Sequence, residues 1–404
     1  MEPRRYYVND LRKYYSFFVP KKARVLFLSL GDKIKRGKFD YIVLNNIVGD
    51  VSDVQGLTSR LKGSSRPDTR LIVTYYNYLW EPVLKFASFM GWRKKVKEQN
   101  WLDTGDIVNI LNLSGFEVIS TQKRFLFPLY IPFFSNFVNR WIAPLPLVNS
   151  FALSVCLVAR PKLEKRGKFS VSIIVPARNE SENIKNIVTE MPKFGKRQEI
   201  IFIEGHSYDD TWAQIKKEES RRKNVHAFRQ KGRGKADAVR LGFKKAKGEI
   251  LIIYDADRTV DAKDLVKFYN LLADGLGEFA NGSRLVYPVE KEAMRFANQL
   301  GNAIFSYLFT WILKQRFKDT LCGTKAIFKK DYNKIASFRK SFGNIDPFGD
   351  FDLIFGAIKM NLKVVEVPVR YRRRTYGNTN IQRWKNGFEL VKMVWMAYKK
   401  FNAF

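Results

Sequence analysis

Four short runs of branched apolar residues recur between residues 171 and 254: "VSIIV" (171–175), "EIIFIE" (199–204), "VHAF" (225–228) and "EILIIY" (249–254). No other feature restricts the fold as tightly. Each run has strand length. The first three precede residues with helical periodicity, expected from about Glu180 to Met191, across 210–222 and across 235–246. Asn179 or Ser181 is the expected N-cap of the first helix, because a side-chain oxygen there accepts from a free first-turn amide. Strands separated by helices do not pair as hairpins. The chain crosses back each time, which makes the sheet mostly parallel and covered on both faces. The expected fold class is α/β, and ligands of such sheets bind at the carboxyl ends of the strands.

The fourth run ends in "YDAD" (254–257). Residues i and i+2 of a strand share a side, so Asp255 and Asp257 are expected to face one crevice, with the small Ala256 between them. Two close carboxylates repel unless a cation joins them. A hard divalent ion, Mg²⁺ or Mn²⁺, suits oxygen ligands and completes its shell with substrate phosphate. A solvated acidic turn is the plain alternative for such a pair taken alone.

Charge narrows the partners. Lys and Arg total 72 against 39 Asp and Glu, a net charge of +33 in 404 residues. That excess favours nucleic acid, anionic lipid headgroups or phosphorylated substrates. No nucleic-acid-binding module accompanies it, which argues against nucleic acid. Two cysteines, Cys156 and Cys322, give no disulfide framework, and two histidines no His-rich zinc site. No apolar stretch reaches the roughly 18–20 residues of a spanning helix. The expectation is a cytoplasmic protein, peripheral on the inner face of a membrane, with self-association into a homo-oligomer allowed.

Five segments in order, "VSIIVPARNESENI" (171–184), "EIIFIEGHSYDDT" (199–211), "KGRGKADAVRLGFKKAKGEILIIYDAD" (231–257), "NGSR" (281–284) and "DTLCGTKAIFKKDY" (319–332), resemble glycosyltransferase family 2. Within it they are most similar to the dolichyl- or polyprenyl-phosphate sugar transferases. The resemblance implies a GT-A (Rossmann-like) fold, a nucleotide-sugar donor and direct displacement with inversion. It places Pro176, Ala177, Asn179 and Glu180 along the nucleoside, Glu204 at the base, and Lys235 and Asp237 beside the nucleotide. Asp255 and Asp257 become the family's D-x-D, with Asp257 the stronger metal ligand.

On the acceptor side, Asp350 and Asp352 open a helix. Each is a general-base candidate for a hydroxyl acceptor, and N-capping is the bland alternative for one of them. Arg370, Arg372 and Arg374 follow "KVVEVPV", where alternation would put all three on one face as an acceptor-phosphate site. Related polyprenyl-phosphate enzymes carry "R-x-x-G-x-S-K" here. This chain has Arg374, Gly377 and Thr379, then Asn380 in place of Lys. Arg284 is a further phosphate-contact candidate, and Asp319 a residue expected to place the acceptor. An ionised phosphate acceptor needs no base, whereas a saccharide hydroxyl would use Asp350 or Asp352. A catalytically dead basic scaffold is the non-enzymatic alternative.

Three regions are expected: 1–160, 170–380 for the glycosyltransferase domain, and 381–404 as a basic amphipathic helix suited to a membrane surface. "MRFANQLGNAIFSYLFTWILKQRF" (294–317) is apolar nearly all round and is expected to be buried, at a dimer interface or in headgroups. The first region resembles the second half of a class I S-adenosylmethionine-dependent methyltransferase in "FDYIVLNNIVGDVSDVQGLTSRLKGSSRPDTRLIVTYYN" (39–77). Its acidic G-x-G loop is missing, so a truncated, non-catalytic domain is expected. Only "DKIKRGK" separates "ARVLFLSLG" (23–31) from the next strand, too little for a crossover helix. The apolar "FLFPLYIPFFSNFVNRWIAPLPL" (125–147) is expected to cover the second domain, the plainer reading, or to touch lipid.

Overall fold

The structure, a computed structural model, describes residues 3–93, 100–163, 167–288, 296–338, 349–374, 376 and 383–402. It divides into two compact units, residues 1–162 with 398–404, and residues 163–397.

The first unit holds β1 (Val25–Leu28), β2 (Phe39–Asn45), β3 (Ser65–Tyr76), β4 (Phe116–Arg124) and β5 (Ser154–Pro161) in the order β1-β2-β3-β5-β4. β1, β2 and β3 are parallel, while β5 runs antiparallel to β3 and β4. β1 and β2 pair without a crossover helix, through residues 29–38. β1 is a short edge strand whose Leu26 and Leu28 are buried while Val25 and Phe27 stay exposed. The crossover from β2 to β3 uses the helix Val54–Lys62, capped by Asp53, which accepts from the Gly56 amide at 2.7 Å. The helix Pro3–Phe18 packs Tyr7, Leu11 and Tyr14 with Val43, Ile72 and Val158 of the sheet. In the apolar 125–147 segment, Ile131, Phe133, Phe134, Phe137 and Leu147 are exposed.

The second unit contains β6 (Val171–Ala177), β7 (Gln198–Glu204), β8 (Val225–Arg229), β9 (Ile250–Ile253), β10 (Phe279–Ser283), β11 (Lys325–Phe328) and β12 (Val364–Pro368). Their order is β12-β10-β11-β9-β6-β7-β8. All pairs are parallel except those of β11, which runs antiparallel to β9 and β10. This is the mixed α/β, Rossmann-like sheet the strand pattern implied. The helices Ser181–Glu190, Thr211–Arg221 and Lys235–Lys245 stand where periodicity placed them. The first is N-capped by Glu180, without a side-chain bond, rather than by Asn179 or Ser181. Ile173, Val175, Phe202 and Ile252 are buried in one core. Each contributes about 2 kcal/mol by burial.

Connectivity fixes where a ligand can sit. The chain winds outward through β6, β7 and β8, then returns to the other side of β6 as β9. The loops leaving β6 and β9 therefore diverge, and a crevice opens at that switch point. Because β11 is antiparallel, its amino end (Lys325, opposite Ile253) reaches the same crevice as the carboxyl ends of its neighbours.

Helix Phe296–Leu313 is buried on one side only. Phe309, Ile312 and Leu313 are inside, whereas Leu300, Ile304 and Tyr307 form an exposed stripe. Helix Arg383–Phe401 likewise exposes Phe388, Val391 and Trp395. Its last turn belongs to the first unit, where Tyr398 donates to the Trp141 carbonyl at 2.9 Å.

Candidate active site

β9 ends at Ile253, and the next residues turn at the crevice. The Tyr254 hydroxyl donates to the Val260 carbonyl at 3.0 Å and closes this turn from below. Ala256 is buried, while Asp255 and Asp257 are part-exposed. Asp255 pairs with Lys235 at 2.6 Å. Gly323 lies directly against that pair: a Cβ there would meet Asp255 Oδ2 at 2.0 Å and Lys235 Nζ at 2.2 Å. Asp257 accepts from the Thr259 amide and hydroxyl at 3.2 and 2.9 Å, with Arg374 at 3.6 Å.

The electrostatics follow from these placements. Burial, then the neighbouring Asp255 charge, hold the Asp257 carboxyl above its ordinary pKa. Burial disfavours charge on Lys235, but Asp255, Asp350 and Asp257 outweigh it and raise its pKa. Three carboxylates, Asp255, Asp350 and Asp257, thus act on the Lys235 ammonium. Asp255 and Asp257 supply the hard oxygen donors a divalent cation takes, and their mutual repulsion would be relieved by one. Among the described residues no group of three or more His, Cys, Asp or Glu could hold a metal alone. A cation at the pair would draw the rest of its shell from a diphosphate.

The loop after β6 supplies the adjoining wall. Asn179 takes a positive φ of 56°, which Asn tolerates better than most residues. It is pinned by its amide donating to Ser207 Oγ at 3.0 Å and its Oδ1 accepting from the Tyr208 amide at 3.0 Å. Glu180 is buried, accepts from Asn183 at 2.7 Å and meets Arg374 at 2.5 Å. Burial pushes its pKa up to about 7, against the opposing pull of Arg374. A raised carboxyl binds its proton more tightly when folded. Its contribution to stability is full below the ordinary value of 4.5 and is lost as pH rises through about 7. Glu180→Gln is expected to flatten the stability curve over that window, by about 3 kcal/mol at most. Thermal unfolding of both proteins at stepped pH, without added divalent cation, checks this.

Several expected site residues are committed elsewhere. Glu204 is buried, with Oε1 accepting from the Ser207 amide at 2.5 Å and Oε2 near Arg229 at 3.3 Å; its carboxylate ties its own loop instead of facing a base. Asp237, in the first turn of helix Lys235–Lys245, accepts from the Gly232 amide at 3.1 Å and fastens the loop that precedes it. Pro176 and Ala177 lie at the end of β6, in register with Ile203 and Glu204.

Arg284 and Asp319 answer each other. Arg284 Nε and Nη2 donate to the two Asp319 oxygens at 2.7 and 2.9 Å, and Asn302 adds a bond at 2.9 Å. Asp319 is 0% exposed, so it does not reach an acceptor. Burial would raise its pKa, but Arg284 and the hydrogen bonds bring it down to about 2. The pair is an internal clamp.

Arg370, Arg372 and Arg374 do not share a face. β12 ends at Pro368, and past it the chain is held by an isolated bridge, Tyr371 to Val260, and by single bonds such as the Arg370 amide to Asp264 at 3.4 Å, so strand alternation no longer applies. Arg372 pairs with Asp261 at 2.8 Å, and Arg370 stacks over Tyr287 at 5.7 Å. Arg374 alone reaches the acidic pair. Gly377, Thr379 and Asn380 lie outside the described residues.

Asp350 precedes helix Phe351–Lys359 without a side-chain cap bond, which removes the capping reading. It is buried with Lys325 at 3.4 Å, and its charge acts on Lys235. Asp352 is held by Arg240 at 2.5 Å. Asp350 is therefore the acid of this segment that shares the crevice. Sequence reasoning missed Lys325 and Gly323, although both fall in a quoted motif. A cation opening a strand and a Gly after Cys carry no signal until the antiparallel β11 is known.

Residues 172–335 match the sequence model of Glycosyl transferase family 2. Glycosyltransferase AglJ of Haloferax volcanii is 26% identical over 220 residues, covering 54% of this chain and 68% of its own. The dolichol-phosphate mannosyltransferase of Pyrococcus furiosus is 27% identical over 234 residues, covering 57% and 64%. A UDP-N-acetylglucosamine–dolichyl-phosphate N-acetylglucosaminyltransferase of Methanococcus voltae is 26% identical over 216 residues, covering 50% and 84%. The match thus spans about two thirds of the first two relatives, and it falls on β6 to β11, the strands that build the crevice. Residues 172–335 are a glycosyltransferase family 2 domain, carried within this chain.

Proposed function

We propose that this protein moves a sugar, with inversion, from a nucleotide-sugar donor to a polyprenyl-phosphate acceptor at a membrane surface. One observation carries the reading: two carboxylates and two cations, Asp255 with Lys235 and Asp257 with Arg374, converge at the switch point of the sheet. A departing nucleoside diphosphate accumulates negative charge. Lys235 and Arg374 are placed to offset it, and Asp255 and Asp257 to hold Mg²⁺ or Mn²⁺ beside it. Bound there, the metal would act as a Lewis acid on the diphosphate oxygens. Direct displacement requires no nucleophile from the protein. A phosphate monoester is already ionised near neutral pH and requires no base.

Asp350 supports a second reading, transfer to a saccharide hydroxyl, because a buried carboxylate beside the crevice suits a general base. The exposed stripes Leu300–Ile304–Tyr307 and Phe388–Val391–Trp395 favour a membrane-associated acceptor and a peripheral position on the inner face. The relatives' names, which include dolichol phosphate, favour the same acceptor class.

A donor screen tests the proposal. The full chain is offered nucleotide sugars with and without Mn²⁺, with polyprenyl phosphate in vesicles or with free saccharides. Metal-dependent release of nucleoside diphosphate that requires the lipid is expected. Release driven only by saccharides would move the acceptor to a hydroxyl. No turnover with any pairing would leave a basic scaffold.

A further inference from the structure

We infer that the first unit docks on an anionic membrane surface through a single apolar face. This face is separate from the sugar-transfer crevice, and the inference does not depend on which sugar or acceptor the second unit takes.

Two segments build it. Helix Glu81–Phe89 has no buried residue, and Phe86 and Phe89 point to solvent. The second segment, residues 129–151, presents Phe133, Phe137, Leu147 and Phe151, all exposed. Their bases are joined. Asn77 Nδ2 donates to the Ser150 and Ala152 carbonyls at 2.8 and 2.9 Å, and Trp80 Nε1 donates to the Phe151 carbonyl at 2.7 Å. Buried Ser135 fastens one tip: its Oγ accepts from the Ile131 amide at 2.6 Å and donates to the Leu129 carbonyl at 2.8 Å. The face is a held shape and not a loose end.

The tips distinguish it from ordinary exposed apolar surface. Phe133 has φ 63° and is 90% exposed; Leu147 has φ 67° and is 84% exposed. Large apolar residues rarely take positive φ, and the conformation costs free energy. Here that cost is accompanied by no burial within the chain. Two strained turns each lift a bulky apolar side chain clear of the surface, the geometry of an insertion into a soft apolar medium.

Charge selects the occupant. Glu81 opens the helix and pairs with Lys85 at 2.5 Å; past it, residues 82–93 and 125–161 contain no Asp or Glu, and Arg93 and Arg140 belong to them. Arg140 is exposed within the second segment. At a net charge of +33, a second copy of this chain would be repelled at close approach, whereas anionic headgroups would be attracted. Aromatic side chains flanked by cations suit the boundary between headgroups and acyl chains.

The experiment measures binding and not turnover, so it stands or falls apart from the proposed transfer. Full-length protein is floated with vesicles of phosphatidylcholine, with or without phosphatidylserine. The unaltered chain should float with phosphatidylserine vesicles and release as salt rises. The double variant Phe133→Gly/Leu147→Gly keeps both turns without strain, because Gly accepts positive φ freely. Its melting temperature should hold or rise, while its vesicle affinity falls about tenfold or more. A Phe133→Trp reporter should shift its emission to the blue on vesicles. Failure of the unaltered chain to float would overturn the inference. So would a glycine variant that floats like the parent, or a reporter whose emission stays put. A variant that turns a dimer into a monomer while still floating would assign the face to a second copy and overturn it as well.

Discussion

Asp257→Ala is expected to lower kcat/KM by about a thousandfold or more and to abolish metal-dependent binding of nucleoside diphosphate, while leaving the fold intact. The first half follows from charge. If Asp257 holds the cation against a leaving diphosphate, its loss removes stabilisation worth about 3–4 kcal/mol in the transition state. The second half follows from the electrostatics of the pair itself. Burial and Asp255 already raise the Asp257 pKa, so its charge is unfavourable there without a cation. Removing it relieves repulsion on Asp255, and Arg374 keeps Glu180 as its partner at 2.5 Å. Melting temperature should therefore hold or rise as turnover disappears. Calorimetric titration of nucleoside diphosphate with and without Mn²⁺, beside thermal unfolding, reads both halves. Undiminished metal-dependent binding in the variant would remove Asp257 from the proposed role.

Asp319→Ala should have the opposite signature, a large loss of stability. It leaves the Arg284 guanidinium 13% exposed and without its carboxylate, and it strips Asn302 and the Leu321 amide of their acceptor. Breaking a buried ion pair from one side costs about 3–5 kcal/mol. Replacing both partners with apolar residues, Arg284→Met with Asp319→Leu, should recover much of that loss, because no uncompensated charge remains. Urea denaturation of the three proteins decides it. The pH dependence has a defined sign: Asp319's pKa is depressed to about 2, so its contribution is present above the ordinary 3.8 and fades as pH falls through about 2. An Asp319→Ala protein that stays stable but loses turnover would return this residue to the acceptor site.

Arg374 and Arg372 show how much of the crevice could be read in advance. A period of two groups both as phosphate ligands, but that period applies only inside a hydrogen-bonded strand. β12 releases the chain at Pro368, six residues before Arg374. Beyond that point partner choice is tertiary. Arg374 meets Glu180 across 194 residues of sequence, and Arg372 meets Asp261 across 111. Glu204 fails for a related reason. Its position at a strand end was legible, but the Ser207 amide that takes its oxygen sits in a turn whose shape depends on His206 at φ 60°.

By itself, the sequence determined the alternation of strand and helix, the parallel sense of β6 to β9, and the placing of Asp255 and Asp257 at a carboxyl end. These are local matters of period, turn chemistry and crossover length, and neighbouring residues suffice to encode them. Only the tertiary structure decided which charges line the crevice and which are spent in clamps. It reversed β11 to bring Lys325 to Asp350 and Gly323 to Asp255, closed Arg284 on Asp319, and left Phe133 and Leu147 standing in solvent. Those outcomes depend on which distant groups share a low-dielectric space, and no periodicity along the chain records that.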